Sequence, residues 1–397
     1  MTVTPKIGLL GLGQQALRRH VPGWADIGMA PAAAYDVHKN VFPGFEKVYK
    51  THYPDQTVPH LSENLDSFIQ SIDIADIVVP PNMHFDVITK LIKAKKMFIC
   101  EKPFCTSYLQ AVNLQKKIKA MHVHGAYLEN WIFDPVIPPV RTVLTSGQIG
   151  EIQRISIVFP NAGLALYPQQ NPWRGQPDAG GALLDWGSHA AGLAWHLAGE
   201  DSSLIQGKAI DVRSSRKRML VSGRFADSQV EDIARFELTL QSDKCRYILV
   251  NIDSSWQCPW MYSPGYSYHI LKVDAATGSA AISVQNTQEG RRYSLIIDDL
   301  HGKREIIDLG LLKRYDPTAS ALLNSVKSLI ECPDHHPESD IELAVKVQLA
   351  LGLVQYSKLS GNRTMTTEMF LDWINGFKSN NTDPALVWEE MINSMQP

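Results

Sequence analysis

The sequence predicts an α/β protein, with an N-terminal doubly wound parallel sheet followed by an α+β domain built on a large, open, mostly antiparallel sheet. Three observations predict it. Up to about residue 130, short β-branched apolar runs alternate with helical stretches, the sequence form of a parallel sheet. Beyond residue 150 the runs follow one another without intervening helices, which favours antiparallel pairing. The first run opens directly onto Gly11-Leu12-Gly13-Gln14-Gln15-Ala16, a turn that parallel sheets place between a strand and a helix.

In the first part the strand-like runs are 6–10, 30–35, 74–79, 97–100 and 125–128. Between them lie a helix over 84–96, where Val87, Ile88, Leu91 and Ile92 share one face, and another running from the N-cap residue Thr106 toward Met121. Pro135, Pro138 and Pro139 then interrupt the pattern. The expected organisation is a Rossmann-like parallel α/β domain over 1–130, a second, α+β domain over 131–365, and a C-terminal extension over 366–397; the motifs below give the first a dinucleotide-binding role and the second a substrate-binding and oligomerisation role. The second domain is expected to place strands at 153–159, 233–240, 246–252, 267–273, 280–284 and 293–297, closed by helices over 318–330 and 340–359. Phe370, Leu371, Trp373 and Ile374 begin the extension, for which an interaction helix and a packing segment both stay open.

Composition narrows the function classes. With 397 residues, 44% hydrophobic and 20% charged, the chain can bury the cores of about two domains. Its 38 basic and 41 acidic residues leave a net charge of −3, which removes chain-wide attraction to phosphate backbones and with it a nucleic-acid partner. No stretch of 18 apolar residues suggests a membrane span, and the N-terminal apolar run stops at Gly11, short of a signal peptide. The cytoplasm is the expected compartment. Cysteines at 100, 105, 245, 258 and 332 form no CxxC pair, so neither a disulfide framework nor a cysteine zinc site is supported.

Gly11 to Ala16 follow the G-x-G-x-x-G/A form of the dinucleotide fingerprint. The first glycine permits the tight turn, the second lets backbone N–H groups approach a pyrophosphate, and a small Ala16 lets helix pack on strand. Asp36, at the end of the second run, stands where a carboxylate accepts from ribose hydroxyls and repels a 2′-phosphate. The expected cofactor is therefore NAD rather than NADP. Lys102, directly after the run 97–100, stands at the carboxyl end of a parallel strand, where such sheets place ligands; a salt bridge to Glu101 is the alternative. Asp185 and His189 stand four apart, on one face if helical, so the carboxylate could orient the imidazole as a proton acceptor; a structural pair is the alternative. Arg174 beside Trp173 offers a planar donor fork to a substrate or to an ion pair. The basic run Arg213 to Arg218 reads as a solvated loop. Cys332-Pro-Asp-His335-His336 lacks a ligand geometry, and no metal is expected.

These elements, in this order, resemble the Gfo/Idh/MocA oxidoreductases from about Lys6 to Gly361. The resemblance rests on the glycine turn, Pro81-Asn82-Met83-His84, Glu101-Lys102-Pro103, Ser146 to Glu151, Trp173-Arg174, Gly180-Gly181 through Asp185 and His189, Val230-Glu231-Asp232, and Tyr356-Ser357 with Gly361. It implies Lys102, Asp185 and His189 as the catalytic set. It also implies Gly11, Leu12, Gly13, Gln14, Gln15, Asp36, Pro81, Asn82, His84, Glu101 and Lys102 around the cofactor. Asn130, Trp173 and Arg174 then join the catalytic set around substrate. The sequence departs from the family pattern at Gly192, where many members carry an Asp, and in the extension past Thr366.

The implied activity is hydride transfer between a nicotinamide and a hydroxyl or keto carbon of a sugar, sugar derivative or inositol. A redox-neutral enzyme that retains NAD and a non-catalytic dinucleotide or sugar sensor are the alternatives. A homodimer or homotetramer is expected through the sheet face that the few second-domain helices leave open.

Overall fold

The computed structural model describes residues 5–159, 172–199, 201–215, 218–221, 224–227, 229–256, 265–312, 317–330, 340–377, 379 and 381–395, with backbone alone at 218–221, 224–227 and 312. The motif 332–336 and residues 216–217 of the basic run lie outside the described residues. The chain forms two compact units. Met1–Cys105, Leu109–Phe133 and Asp316–Val345 make up the first, and Thr106–Tyr108, Asp134–Tyr315 and Lys346–Pro397 the second.

The first unit is built on six parallel strands, β1 (Ile7–Leu10), β2 (Ala33–Tyr35), β3 (His60–Leu61), β4 (Ile74–Ile77), β5 (Met97–Glu101) and β6 (Gly125–Leu128). Their order is β3-β2-β1-β4-β5-β6, the doubly wound arrangement in which the order reverses at β1. After β1 the chain winds as a π-helical turn over Ala16–His20 and continues as α1 (Val21–Asp26). Helices α2 (Phe42–His52), α3 (Leu65–Ser71), α4 (Pro81–Lys93) and α5 (Tyr108–Met121) make the crossovers. Asn64 and Ser67 form a reciprocal capping box at the start of α3.

α4 begins at Pro81, three residues before the expected start, because proline at the first helical position needs no amide partner and already has a helical φ. α5 begins at Tyr108, two residues past Thr106. Both sheet faces are covered, one by a cluster of Leu9, Val21, Phe45 and Tyr49, the other by Ile7, Trp24, Ile74 and Leu128. The second cluster also holds Ala321, Leu322, Val326 and Leu329 of the helix Thr318–Ile330. That helix, grouped with the second domain in the sequence reading, packs within the first unit because its apolar stripe covers α1 and β6.

In the second unit helix α6 (Ile137–Thr145) leads to strand β7 (Ile152–Val158), and helix α7 (Ala182–Ala198) precedes strands β8 (Ser203–Arg213), β9 (Arg218–Val221), β10 (Arg224–Asp227), β11 (Ile233–Gln241), β12 (Tyr247–Asp253), β13 (Ser267–Ala275), β14 (Gly278–Thr287), β15 (Gly290–Asp299) and β16 (Arg304–Leu312). Nine strands, with β17 (Met365–Thr366) at one edge, form a sheet that is antiparallel except for the parallel pair β7 and β12. Its inner face is apolar: Ile155, Phe236, Leu238, Val250, Val273 and Ile282 are buried on it. α7 and the helix Ile341–Leu359 supply much of its cover, Leu353 lying against Gly207 and Leu351 beside Gly187 and Phe236. The other face is a lattice of charges. Arg235 pairs with Asp253 at 2.9 Å, Lys272 with Asp274 at 2.6 Å, Arg304 with Asp298 at 2.7 Å, and Arg292 with Asp308.

The extension is a packing segment. Thr366 caps the helix Thr367–Gly376 and Asp383 caps the helix Pro384–Ser394. Tyr356 stacks on Trp373 and lies beside Phe370, Trp388 sits edge-on to Phe370 and Trp373, and Phe370 and Met391 are fully buried.

Candidate functional site

In the first unit the candidate site begins at the turn after β1. Gly11 holds φ at +94°, and a Cβ there would lie 2.7 Å from the Val78 carbonyl oxygen, so only glycine fits. A Cβ at Gly13 would meet nothing within 4 Å, so the backbone there stands open to an approaching group. Leu12 N–H donates to Asp36 Oδ2 at 2.8 Å and His38 N–H donates to Asp36 Oδ1 at the same distance. The acidic residue at the end of β2 is thereby fastened to the glycine turn itself. Gln14 is exposed and Gln15 half-buried at the start of the helix. Such a turn fits a dinucleotide, with backbone N–H groups for the phosphates and a carboxylate held where the ribose would lie.

The carboxyl ends of β4 and β5 are pinned together by His84. Its Nε2 lies 2.9 Å from the Val79 carbonyl oxygen and its Nδ1 2.9 Å from that of Pro103. Burial holds its pKa below the ordinary value, so a neutral ring donates to one carbonyl at a time. Pro81 and Asn82 open α4 beside it. Glu101 and Lys102 follow on β5, where Lys102 N–H donates to Glu101 Oε2 at 2.9 Å. Asn130 Nδ2 donates to Thr318 Oγ1 at 3.2 Å and is buried.

Sequence reasoning missed what stands behind Glu101. His20, the last residue of the π-helical turn, places Nδ1 2.8 Å from Asp76 Oδ2 and Nε2 3.0 Å from Glu101 Oε1. Burial by itself would depress the His20 pKa, but the charges and hydrogen bonds of Asp76 and Glu101 outweigh it and raise the value to about 10. A signal was present in Ile-Ala-Asp76-Ile, where a lone carboxylate inside an apolar strand requires a buried partner.

In the second unit, α7 carries Asp185 and His189, both buried. The sequence folds this way because Gly180 and Gly181 let the chain pass where side chains could not: a Cβ on Gly180 would lie 2.0 Å from the Arg174 carbonyl oxygen. Glu231 accepts from Leu183 N–H at 3.1 Å, satisfying a first-turn amide of α7, and burial pushes its carboxyl pKa up. Asp185 Oδ2 accepts from Arg174 Nε at 2.8 Å, and the Arg174 guanidinium lies 4.5 Å from the Trp173 ring centroid. The Arg174 fork thus takes the ion-pair alternative, with Asp185 as its partner. His189 sits edge-on to Phe159 and Trp186, ring centroids 6.4 and 5.7 Å away. The unit therefore brings Trp173, Arg174 and Asp185 together, with His189 one helical turn on. Among the described residues, no three His, Cys, Asp or Glu side chains group as metal ligands. No described helix is long and apolar enough to cross a membrane.

Comparison with known proteins matches residues 6–126 to a model described as an oxidoreductase family with an NAD-binding Rossmann fold. Residues 139–279 match a GFO/IDH/MocA C-terminal domain. An uncharacterised protein of Saccharomyces cerevisiae is 28% identical over 208 residues, 50% of this chain and 56% of that protein. Inositol 2-dehydrogenase of Rhizobium meliloti is 26% identical over 208 residues, again 50% of this chain and 56% of the relative. The chain thus spans little more than half the length of these relatives. The structure of an oxidoreductase from Agrobacterium radiobacter, solved with NAD+, L-tartaric acid and magnesium, shares the fold with a TM-score of 0.70 at 18% identity, covering 92% of this chain and 98% of that one.

Proposed function

The chain belongs to the Gfo/Idh/MocA oxidoreductase family, and from that premise we propose that it is an NAD-dependent oxidoreductase acting on a hydroxyl or keto carbon of a sugar, sugar derivative or inositol. The observation that carries the proposal is the glycine turn fastened to Asp36 through the Leu12 amide, a seat built for a ribose and its phosphates. The likeness to an inositol dehydrogenase supports the substrate class. When bound, the nicotinamide supplies the hydride acceptor or donor.

The chain's own residues bind, orient and move one proton. Gly11 and Leu12 hold the turn in shape, Gly13 to Gln15 offer amides to the phosphates, Asp36 takes the ribose, and Pro81, Asn82, His84 and Glu101 shape the rest of the seat. The Lys102 ammonium hydrogen-bonds the reacting oxygen and stabilises negative charge developing on it. His189 takes the hydroxyl proton in the oxidative direction and returns it in reduction. Asp185 favours the imidazolium that forms one helical turn away, with Arg174 fixing the orientation of that carboxylate. Trp173 and Asn130 belong to the substrate-binding set.

Absorbance of reduced nicotinamide, followed with NAD and a panel of inositols, aldoses, sugar acids and nucleotide sugars, tests the reading. Steady NADH accumulation is expected. Product without net NADH identifies the redox-neutral alternative instead. Fluorescence titration should show NAD bound more tightly than NADP, and equal or tighter NADP binding would overturn the part given to Asp36.

A further inference from the structure

A charged cluster is buried under the glycine turn. His20 and Asp76 are fully buried and Glu101 is 5% exposed. Both ring nitrogens of His20 face carboxylate oxygens, at 2.8 Å for Asp76 and 3.0 Å for Glu101, and both can donate only if the ring is an imidazolium. Trp24 Nε1 adds a hydrogen bond to Asp76 Oδ2 at 2.7 Å. The two carboxylates then differ. Among the described residues, Asp76 reaches only this inner layer, and its Oδ1 has no hydrogen-bond partner. Glu101 reaches outward on both sides: Oε1 accepts from Gln15 Nε2 in the glycine turn at 3.4 Å, and Oε2 accepts from the Lys102 amide at 2.9 Å.

We infer that Glu101, clamped from behind by His20, is a positioning residue that ties the Lys102 peptide to the dinucleotide turn. The site is built for this by an irregularity of the helix. The π-helical turn Ala16–His20 closes with a hydrogen bond from the Val21 amide to the Ala16 carbonyl oxygen, spanning one residue more than in an α-helix, and His20 at its end reaches Asp76 on β4 and Glu101 on β5. A salt bridge or a surface contact would leave Glu101 free to rotate; an acceptor shared among three donors, two from the two ends of the π-helical turn and one from the Lys102 peptide, has one orientation. Occupation of the turn and placement of the lysine thus become one event.

The inference rests on the dinucleotide reading above, and the experiment separates the two. NAD affinity by calorimetry and melting temperature are measured for wild type, Glu101→Gln and Asp76→Asn. The carboxamide introduced by E101Q has one acceptor oxygen. Kept on the Lys102 amide, it turns its amine toward His20 Nε2, which must then lose its proton, and toward Gln15, which loses its acceptor; turned the other way, it leaves the Lys102 amide unpaired. The tie between turn and lysine is broken in either orientation. The carboxamide introduced by D76N can keep both bonds through its single oxygen, with its amine on the side where Asp76 has no partner. E101Q is expected to weaken NAD binding about tenfold, the loss of one charge-assisted hydrogen bond, while D76N stays within about twofold at a similar fall in melting temperature. A merely structural cluster would move the two variants alike, and equal NAD affinities for them overturn the inference. A wild-type chain that binds neither NAD nor NADP overturns the dinucleotide reading and the coupling with it. Should E101Q not fold, Glu101→Asp draws the carboxylate back by one methylene so that it no longer spans from the His20 and Gln15 side to the Lys102 amide, and is expected to weaken NAD about threefold; unchanged affinity there also overturns the inference.

Discussion

Lys102→Met keeps most of the side chain's packing and removes the ammonium, so turnover should fall while NAD stays bound. His189→Asn removes the titrating ring and keeps a hydrogen-bonding group, so proton transfer should suffer more than docking. Each change should lower kcat by about 10² to 10⁴-fold, and the double variant should lose less than the product, because both groups are proposed to serve the same reacting oxygen and such groups act as a unit. Near-wild-type kcat in a folded Lys102→Met protein would remove that residue from the chemistry. His20 gives a second residue-scale expectation through pH. Its folded pKa, about 10, lies above the ordinary 6.5, so its stabilising contribution is complete below 6.5 and is lost as pH rises toward 10. Urea unfolding at pH 6.5, 8 and 9.5 should show wild type losing ground to His20→Gln by about 1.4 kcal/mol per pH unit. A pH-independent difference would mean that the buried ring is neutral. The glycine turn, Asp36 and Lys102 were legible because each stands at the end of a strand where backbone geometry dictates its position. The His20 cluster was not, because hydrophobic periodicity marks which residues are apolar and says nothing about which polar side chains are drawn inward to meet one another.

Among the elements, the two terminal helices show how packing decides what propensity leaves open. Phe370 is fully buried among Tyr108, Tyr356, Trp373 and Trp388, so Phe370→Ala should cost about 3–5 kcal/mol in chemical unfolding. A loss under about 1 kcal/mol would mean that the segment does not pack as described. Apolar runs marked most strands, yet β8 and β16 escaped notice for a physical reason. Gln206, Lys208 and Asp211 of β8 and Arg304 and Asp308 of β16 break the runs with polar or charged side chains. α2 was hidden by Pro43 and Gly44 in its first turn, residues that usually signal a loop. Helix α7 was read only conditionally, from the spacing of Asp185 and His189, because Gly187 and Gly192 weaken its helical pattern; it forms with Gly187 lying close to Leu351 and Phe236.

At the scale of the whole molecule, the homodimer or homotetramer expected from the sequence is proposed to use the outer face of the nine-stranded sheet. Its exposed pairs add little to stability one by one, but a second copy placed by a two-fold axis would meet charges of both signs. Light scattering is therefore expected to report a dimer or tetramer at low salt that weakens as salt rises, and a 44.3 kDa species under all conditions would dismiss the association. The first unit has a different dependence, on the order in which the chain emerges. Its sheet is complete by Leu128, but Ala321, Leu322, Val326 and Leu329, which cover one face, come from the helix Thr318–Ile330. At ordinary synthesis rates that helix leaves the ribosome roughly 10 to 40 s after the sheet it covers. During that interval Ile7, Trp24 and Ile74 lack their final cover, and a fragment ending at Phe133 should expose the same surface, bind a hydrophobic dye and precipitate where the full chain stays in solution. The nascent chain thus carries an adhesive surface through about half of its own translation, a period in which a chaperone could occupy the place the late helix will take.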